Sequence, residues 1–333
     1  MKRSLTVTLL AALLALAPGG EAQAPQRLVF ALNWFAVGDH AAYWVALDRG
    51  YYKARGLDVE LQNSKGSGDS IAKVDTGRAD LGLADAVVVI PRVAQGAKIK
   101  IVGAVFDNTP LNIWTRKDTG ITTPKDLEGK TLAAPPGDSQ RQLFPAFARV
   151  NGFDAGKVKW LTIEPAAKFV ALAEKRVDAV PDYTTGQPFW EKAVGKDNLV
   201  RMPWHQYGFD TYSMSIMASE KTINERTKAL RDFLAASYLG WRDVMDNPKA
   251  ALEVFKKRVP DIDLTLIEPN LMLGLELMRT ERYAKNGIGW MDRGKMCGTV
   301  EFINTYMPDM PRKVGCDEVF TNEFLTKVEP PRR

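Results

Sequence analysis

Several polar and aromatic side chains of this protein directly follow a short apolar run, where a bound molecule could reach them. Asn33 and Trp34 come after the run 28–32, and Asp39 and His40 stand a few residues later. A side-chain amide can hydrogen-bond the polar edge of a ring, and an indole can cover the face of one. These residue types therefore predict a loop that holds a flat heteroaromatic molecule. The alternatives are a Trp34 that packs in the core and an Asp39 that only caps the next helix.

Two loops that contain glycine and serine each precede a predicted helix. Backbone N–H groups at the start of a helix, together with hydroxyls, can hold an anionic or carbonyl group. Arg141 could bind a carboxylate or sulfonate through two parallel hydrogen bonds, whereas Asp69 would repel such a group. The alternatives are capped turns and an exposed arginine. The candidate ligand residues of these loops are Ser67, Gly68, Asp69, Ser70, Gly137, Ser139 and Arg141.

Further carboxylates and aromatic rings stand at the ends of predicted strands and near two predicted crossings of the chain. The carboxylates suit a ligand rich in hydrogen-bond donors, such as an aminopyrimidine, while Arg141 suits an acid, so the charge of the ligand stays open. Aromatic residues between 183 and 212 favour a flat ring over nitrate or taurine, although Phe189 and Trp190 are predicted to pack a helix. The candidates here are Asp85, Asp107, Asn108, Asp182, Tyr183, Trp204 and Tyr212.

Signatures of catalysis and of metal binding are missing from the sequence. It contains no Gly-x-Ser-x-Gly elbow, no P-loop and no Gly-x-Gly-x-x-Gly turn. The two histidines, His40 and His205, have no metal-ligand spacing to the cysteines. We therefore expect a protein without catalytic residues, metal or cofactor.

The two cysteines, Cys297 and Cys316, lie near the C-terminus with 18 residues between them. In an oxidising compartment such a pair can close a disulfide. In the chain-entropy model a loop of this length contributes about 3 kcal/mol to stability. The alternative is two buried free thiols.

The elements that must position these residues alternate along the chain. Short apolar runs predict strands, and stretches with helical spacing predict helices between them. Such alternation builds a parallel sheet with helices on its faces, and ligands bind beyond the carboxyl ends of its strands. The predicted strands are 28–32, 57–61, 79–84, 99–106, 111–115, 131–134, 158–163, 179–180, 199–200 and 212–218. The predicted helices are 40–54, 69–76, 86–95, one that opens at Asp138 and Ser139, 165–175, 186–193, 224–246, 248–258, 263–278 and 298–305.

Length and composition indicate an ordinary globular chain with two lobes. The 333 residues are 45% hydrophobic and 26% charged, which is enough for a sizeable core. A single core tends to stop growing at roughly 250–300 residues, so two lobes are expected. The 45 Lys and Arg residues against 40 Asp and Glu give a net charge of +5. They are scattered and form no basic run typical of nucleic-acid or membrane binding.

Residues 1–24 have the three-part layout of a secretory signal. Lys2 and Arg3 precede an apolar stretch, and small residues suited to cleavage after Ala22 or Ala24 follow it. The apolar stretch is shorter than the roughly 20 residues that a membrane-spanning helix needs. We therefore expect an exported, periplasmic protein that is released from its signal peptide.

Seven segments, spread over nearly the whole chain after the predicted signal, occur in an order known from one group of proteins. They are Leu32–Trp34, Asp39–Tyr43, Gly50–Val59, Gly66–Ser70, Gly77–Gly82, Pro124–Lys130 and Phe320–Leu325. Together they resemble the solute-binding proteins of ABC transporters for thiamine pyrimidine precursors. More broadly, the chain is similar to the nitrate, sulfonate and taurine group of these proteins.

The resemblance implies an α/β fold of two lobes, the type II-like periplasmic binding protein fold, in which two crossing segments form a hinge. It places lobe 1 at residues 25–110 and 213–333 and lobe 2 at residues 111–212, with the ligand in the cleft between them. It also implies an ABC transporter permease in the inner membrane as the partner. We expect a monomer that binds no nucleic acid.

The resemblance predicts a solute-binding subunit that holds a small heteroaromatic ligand, such as a thiamine pyrimidine precursor, without catalysis. An aromatic carboxylate or a sulfonate is the alternative ligand. An enzyme is the alternative class, because the similar eukaryotic pyrimidine synthases carry a histidine, consumed as substrate, where this chain has His40. Those synthases use iron and pyridoxal phosphate and carry a cysteine-rich iron motif, whereas this sequence has no cysteine before Cys297.

Overall fold

Two mixed sheets with helices packed around them make up the described part of the protein. The structure is a computed structural model, and it describes residues 24–331. The predicted signal peptide, apart from Ala24, lies outside the described residues. Among residues 24–331 no helix is both long and apolar enough to cross a bilayer.

Each sheet has five strands, and the chain visits the first sheet twice. The strands are β1 (Gln26–Ala31), β2 (Leu57–Gln62), β3 (Leu81–Asp85), β4 (Ile99–Ala104), β5 (Leu111–Arg116), β6 (Thr131–Ala133), β7 (Lys159–Leu161), β8 (Ala179–Tyr183), β9 (Leu199–Pro203) and β10 (Met214–Ser219). The first sheet has the order β2-β1-β3-β10-β4 and the second the order β7-β6-β8-β5-β9. We call the parts built on these two sheets lobe 1 and lobe 2. The first crossing, 105–110, and the second crossing, 204–213, connect them.

The strands of each sheet are not all parallel, which corrects the expectation from the sequence pattern. β1 pairs in parallel with β2 and β3, and β6 pairs in parallel with β7 and β8. β10 runs antiparallel to β3 and β4, and β5 runs antiparallel to β8 and β9. β5 and β10 each directly follow a crossing. The chain therefore enters both sheets at the edge where the parallel strands end, and these two strands run the opposite way.

The helices pack around both sheets, and most lie close to the predicted ranges. They are α1 (Ala41–Asp48), α2 (Ser67–Asp75), α3 (Ala86–Ala94), α4 (Ser139–Val150), α5 (Ala167–Ala173), α6 (Gln187–Val194), α7 (Glu220–Glu225), α8 (Thr227–Asp246), α9 (Pro248–Arg258), α10 (Leu264–Met278), α11 (Glu281–Asn286), α12 (Arg293–Tyr306) and α13 (Cys316–Val319). The predicted helix 224–246 is divided at Arg226, whose φ of −131° leaves the helical region. α11 and α13 were not predicted, because six and four residues are too few to show a helical period.

The first predicted helix, 40–54, is shorter than expected, and a 3₁₀ turn precedes it. The turn covers Gly38–His40, and α1 follows it directly. The Gly38 N–H donates to Oδ1 of Asn270 on α10 at 2.8 Å. A Cβ at Gly38 would lie 2.7 Å from that oxygen, so the close approach requires glycine. This turn fixes Asp39 and His40 at the edge of the first sheet.

Aromatic residues hold α1 and α8 against the strand that leads into this turn. The ring of Phe30 on β1 lies 4.8 Å from the rings of both Tyr43 and Phe233, measured between centroids. All three side chains are buried. Because burial of apolar area contributes roughly 25 cal/mol per Å², this cluster anchors the end of β1 firmly.

A disulfide joins Cys297 on α12 to Cys316 at the start of α13. We expect the double variant Cys297→Ser, Cys316→Ser to lose about 3 kcal/mol of unfolding free energy, because its unfolded chain regains the freedom of the open loop. Urea unfolding of the oxidised wild type and of the variant measures the difference. Reduced wild type is the control and should match the variant. Equal stability of the oxidised wild type and the variant would contradict this prediction.

Candidate ligand-binding site between the two sheets

A cavity of about 60 Å³ lies between the two lobes, at the carboxyl ends of parallel strands from both sheets. This edge is where open α/β sheets bind ligands. The loops after β1 and β2 line it from lobe 1, and the loops after β6 and β8 line it from lobe 2. The residues predicted from the sequence that line it are Asn33, Trp34, Asp39, His40, Ser67, Ser139, Asp182 and Tyr183.

Aromatic rings form much of the cavity wall. Trp34 and Phe35 come from the loop after β1, and Phe169 and Phe189 come from α5 and α6. Phe189 does pack as predicted, since its ring centroid lies 6.0 Å from that of Phe169, but it also lines the cavity. Trp190, its neighbour, is buried. The apolar faces of the lining rings suit a planar ligand.

A chain of hydrogen bonds links the two lobes at the cavity. His40 Nε2 lies 2.9 Å from Asn33 Oδ1, and Asn33 Nδ2 donates to the hydroxyl of Tyr183 at 3.3 Å. That hydroxyl in turn donates to Asp85, 2.8 Å from both carboxylate oxygens. Tyr183 belongs to lobe 2 and the other three residues belong to lobe 1. The chain therefore stabilises the arrangement in which the lobes are closed on each other.

His40 is held as a neutral imidazole at the start of this chain. Burial lowers its pKa to about 3. Its Nδ1 accepts the N–H of Val37 at 3.4 Å, which leaves Nε2 as the donor to Asn33. With both ring nitrogens engaged, His40 orients the Asn33 amide.

Asp85 accepts hydrogen bonds from three hydroxyls, one of which comes from lobe 2. Besides Tyr183, its carboxylate accepts the hydroxyls of Ser213 and of Ser67, the latter at 3.3 Å. Ser139 of lobe 2 donates to Ser67 at 2.8 Å. Burial raises the pKa of Asp85, and these hydroxyl donors oppose the rise. Predicted as a ligand residue, Asp85 does not line the cavity but holds Tyr183, which does.

Asp39 is a buried carboxyl with few partners. Its Oδ2 accepts the hydroxyl of Thr185 at 2.8 Å, while its Oδ1 has no hydrogen-bond partner within residues 24–331. Burial raises the pKa of Asp39 to about 7, with the Thr185 hydroxyl opposing the rise and nearby Asp182 adding to it. The side chain makes no capping bond to α1, so the capping alternative is wrong.

The raised pKa of Asp39 makes the stability of the unliganded protein depend on pH. The folded protein keeps the proton up to a pH of about 7, whereas the ordinary pKa of this group is 3.8. The free energy of unfolding therefore falls as the pH rises from about 4 to about 7, by on the order of 4 kcal/mol. We expect Asp39→Asn to remove most of this loss. Urea unfolding of both proteins at about pH 5 and about pH 8 tests it, and an unchanged pH dependence in the variant would contradict it.

A buried ion pair that the sequence does not predict lies at the lobe 2 wall of the cavity. Lys168 Nζ lies 3.1 Å from Oδ2 of Asp138, and both side chains are nearly fully buried. The same ammonium lies over the ring of Trp34, 4.9 Å from its centroid. Lys168 shares the buried face of α5 with Ala171 and Leu172. Its spacing of three and four residues from them is the signal that could have marked it as buried.

Asp182 lies beside this pair at the end of β8. It accepts the indole N–H of Trp190 and the backbone N–H of Tyr183, both at 2.8 Å. Burial raises the pKa of Asp182, and the charge of Lys168 opposes the rise. No lysine or arginine bonds this carboxylate directly within the described residues.

Asn270 on α10, which sequence reasoning missed, ties lobe 1 to the lobe 2 wall of the cavity. Its Nδ2 donates to the carbonyl of Thr185 at 2.8 Å, and its Oδ1 accepts from Gly38 as described above. Nothing local in the sequence marks Asn270 or Thr185, because both act through contacts between elements far apart in the chain.

Arg141, the predicted anchor for an acid, does not line the cavity. Its guanidinium donates to the carbonyl of Ala134 and to Oγ1 of Thr162, and it lies 5.2 Å from the ring centroid of Trp160. The backbone N–H of Arg141 is bonded by the capping side chain of Asp138. The arginine therefore stabilises the loop after β6 and does not face the cavity.

Ser70 and Asp69 also lie outside the cavity. The hydroxyl of Ser70 donates to the carbonyl of Ala31 at 3.1 Å. Asp69 accepts the N–H of Lys65 at 3.0 Å and pairs with Lys73 at 3.5 Å. Both side chains thus hold α2 in place behind the loop.

Gly68 and Gly137, predicted to contact a ligand, contact each other across the lobes. The N–H of Gly68 donates to the carbonyl of Gly137 at 3.0 Å. Gly66, at the N-cap of α2, has a φ of +122°, and a Cβ there would overlap the main chain of Gly137. These glycines let the two loops approach closely.

Asp107, Asn108 and Tyr212 do not line the cavity, because helices of lobe 1 bind them at the two crossings. Arg282 of α11 donates to both oxygens of the buried Asp107, at 2.8 and 2.7 Å. Lys295 of α12 donates to Asn108 at 2.9 Å and lies 5.3 Å from the ring centroid of Tyr212. These bonds fix both crossings to lobe 1.

Trp204 is likewise outside the cavity. It is fully buried and stacks on Phe147 of α4, with ring centroids 4.2 Å apart and planes 8° from parallel. Its role in the structure is to pack the second crossing against lobe 2.

Comparison with known proteins agrees with this architecture. The NMT1/THI5-like family matches residues 37–251, which include most of the loops around the cavity. The chain is 25% identical to the riboflavin-binding protein RibY of Chloroflexus aurantiacus, over 93% of this chain and 89% of the relative. It is also 25% identical to the formylaminopyrimidine-binding protein of Halalkalibacterium halodurans, over 88% of this chain and 94% of the relative.

A solved structure shows the same fold. The alkanesulfonate-binding protein SsuA of Xanthomonas axonopodis pv. citri, bound to MOPS, superposes with a TM-score of 0.66 at 14% identity, covering 92% of this chain and 100% of SsuA. The two-lobed periplasmic binding protein fold, expected from the resemblance, is thereby confirmed. Because the family match spans well over half of the sequence, the chain belongs to the NMT1/THI5-like family.

Proposed function

We propose that this protein is the extracytoplasmic solute-binding subunit of an ABC importer, and that it closes its lobes on a small heteroaromatic ligand. The bonds between the lobes, from Tyr183 to Asp85 and from Ser139 to Ser67, support a clamp that closes over the cavity. The two full-length relatives named above are binding proteins for ring compounds. A membrane permease is the proposed partner, and it would detect the closed form.

The observation that carries the ligand class is the excess of carboxyl groups at a cavity lined by aromatic rings. Asp39, Asp138 and Asp182 line it, while its lining within residues 24–331 contains no lysine or arginine. Carboxyl groups accept hydrogen bonds, and aromatic rings cover flat faces. An aminopyrimidine, with amino donors on a flat ring, complements both, and a thiamine pyrimidine precursor is such a molecule.

An aromatic acid or a sulfonate receives less support. Arg141 is engaged outside the cavity, and Lys168 is already paired with Asp138. An enzyme related to pyrimidine synthases also receives less support. His40 is buried, and both of its ring nitrogens are engaged in hydrogen bonds that hold the Asn33 amide, which is a structural role.

A thermal-shift screen of refolded, ligand-free protein tests the proposal. The compounds are aminopyrimidines, riboflavin, aromatic acids, alkanesulfonates and taurine. A ligand at about a hundred times its Kd stabilises by about 2.7 kcal/mol, which raises Tm by several degrees. We expect a shift with aminopyrimidines and none with acids or sulfonates. A shift with riboflavin alone would move the assignment to a flavin, and a shift with sulfonates alone would contradict the ligand class.

Arg141→Ala provides the matching control for the ligand class. Because the guanidinium of Arg141 lies outside the cavity, we expect the variant to bind the compound that raises Tm with an affinity within about threefold of wild type. If the ligand were an acid held by Arg141, the variant would lose about 2 kcal/mol of binding free energy. Isothermal titration of both proteins distinguishes the two outcomes.

Export and oligomeric state belong to the same proposal. We expect the secreted protein to begin at Gln23 or Pro25, after removal of the predicted signal, and to be a monomer. Intact mass of periplasmic material and light scattering of the purified protein check both. A cytosolic protein that retains residue 1 would contradict the proposed location.

A further inference from the structure

The charges around the cavity do not balance. Asp39 and Asp182 line it without a bonded cation, whereas Asp138 is paired with Lys168. Asp85 adds a further carboxyl behind Tyr183, and within residues 24–331 its carboxylate accepts hydrogen bonds from hydroxyls only. Within the described residues the lining thus contains more carboxyl groups than cationic side chains.

Asp39 is the carboxyl with the fewest partners. On its own turn the only titratable neighbour is His40, which is neutral. From β8 and the turn after it, Asp182, the phenol of Tyr183 and the hydroxyl of Thr185 face it. From α10 it meets Gly274, where an added Cβ would lie 2.9 Å from Oδ1 of Asp39. The elements packed around Asp39 therefore add a second carboxyl and no cation.

The neighbouring rings are suited to a positive charge. The ammonium of Lys168 already rests over Trp34, 4.9 Å from the ring centroid, which shows that this indole accepts a cation at its face. Phe35, Phe169 and Phe189 line the same space. Aromatic faces and an unpaired carboxyl together favour a flat cation over a neutral ring.

We propose that the site takes its ligand as a monocation, a heteroaromatic ring with one positive charge, and that Asp39 is the counter-ion. The inference rests on the proposed function, because it assigns the charge of the ligand in that same cavity. When the cation binds, Asp39 gives its proton to solvent and remains as a carboxylate beside the ring. A neutral ring leaves the proton on Asp39, and an anion meets uncompensated carboxyls.

The test compares 4-aminopyrimidine with its two ring-N-methylated, permanently charged forms. Isothermal titration at about pH 8, above the pKa of about 7 for Asp39, gives each Kd. We expect the better-fitting cation to bind at least about tenfold more tightly than the neutral ring. The affinity for the cation should fall as the pH is lowered to about 6, where Asp39 is protonated before binding. Titrations at that pH in buffers of different ionisation enthalpy should show release of close to one proton per binding event.

Two variants locate the effect. Asp39→Asn should remove the preference for the cation, so that the Kd values of the variant for the charged and neutral rings agree within about threefold. Asp58→Asn removes the same charge from an exposed position on β2 and should leave the preference unchanged. Equal affinity for the charged and neutral rings, or a preference that persists in Asp39→Asn, overturns this inference and leaves the proposed function standing. If none of the three rings binds, both fail.

Discussion

Replacing Trp34 by alanine should weaken binding of the ring ligand about thirtyfold. Stacking of a base on an aromatic side chain contributes roughly 1–3 kcal/mol, and about 2 kcal/mol corresponds to that factor. Trp34 is only half-buried and stands in a loop, so its removal leaves the core of lobe 1 intact. Isothermal titration with the compound that gives the largest thermal shift measures the change.

The control for this variant is Trp290→Ala. Trp290 is 38% exposed and does not line the cavity, so its removal subtracts a similar area from the surface. We expect its affinity to match wild type. Unchanged affinity in Trp34→Ala would place the ligand outside this cavity.

Gly66→Ala should reduce affinity by at least about a hundredfold, because it obstructs closure of the lobes. An added Cβ overlaps the main chain of Gly137, and main-chain atoms cannot rotate away as a flexible side chain can. The unliganded variant can relieve the overlap by opening. Ligand binding, however, requires the loops after β2 and β6 to meet. Small-angle scattering should show a contraction on ligand addition in wild type and none in the variant.

The left-handed φ of Gly66 carries its own cost in any L-residue, and Gly96→Ala separates that cost from the overlap. Gly96 has a φ of +97° on an exposed turn of lobe 1, and a Cβ added there would meet nothing within 4 Å. Both variants should lose a comparable amount of stability, on the order of 1–3 kcal/mol. Only Gly66→Ala should lose affinity. An equal loss of affinity in both variants would contradict the role assigned to closure.

Several of the predicted residues that line the cavity stand at the ends of parallel strands. Asn33, Trp34, Asp182 and Tyr183 follow or end such strands, and a strand end is a local feature that alternation of apolar runs reveals. The edge of the sheet then brings them to one cavity whatever the details of packing. For the same reason the two-lobed fold could be expected from the order of the elements together with the family resemblance.

The positions of several predicted residues that do not line the cavity depend on partners remote in sequence. Asp107 and Asn108 stand at a crossing, where either the cleft or lobe 1 could have received their side chains. Arg282 and Lys295, roughly 175 to 190 positions further on, bind these side chains and hold them against lobe 1. Arg141 follows the same logic, because Trp160 and Thr162 become its neighbours only once β6 and β7 pair.

The central position of β10 has a consequence for the order in which the protein acquires its structure. β10 lies between β3 and β4 in the first sheet, yet it begins at residue 214, after every strand of the second sheet. The smaller sheet-building unit, from β5 to β9, is continuous in sequence and contains all of its own pairing partners. We expect this unit to fold first. The first sheet cannot be completed until β10 is available, and β10 begins 110 residues after β4 ends at Ala104. Under the proposed export, in which an extended chain crosses a membrane, late completion of the first sheet would keep much of the protein unfolded until most of it has crossed.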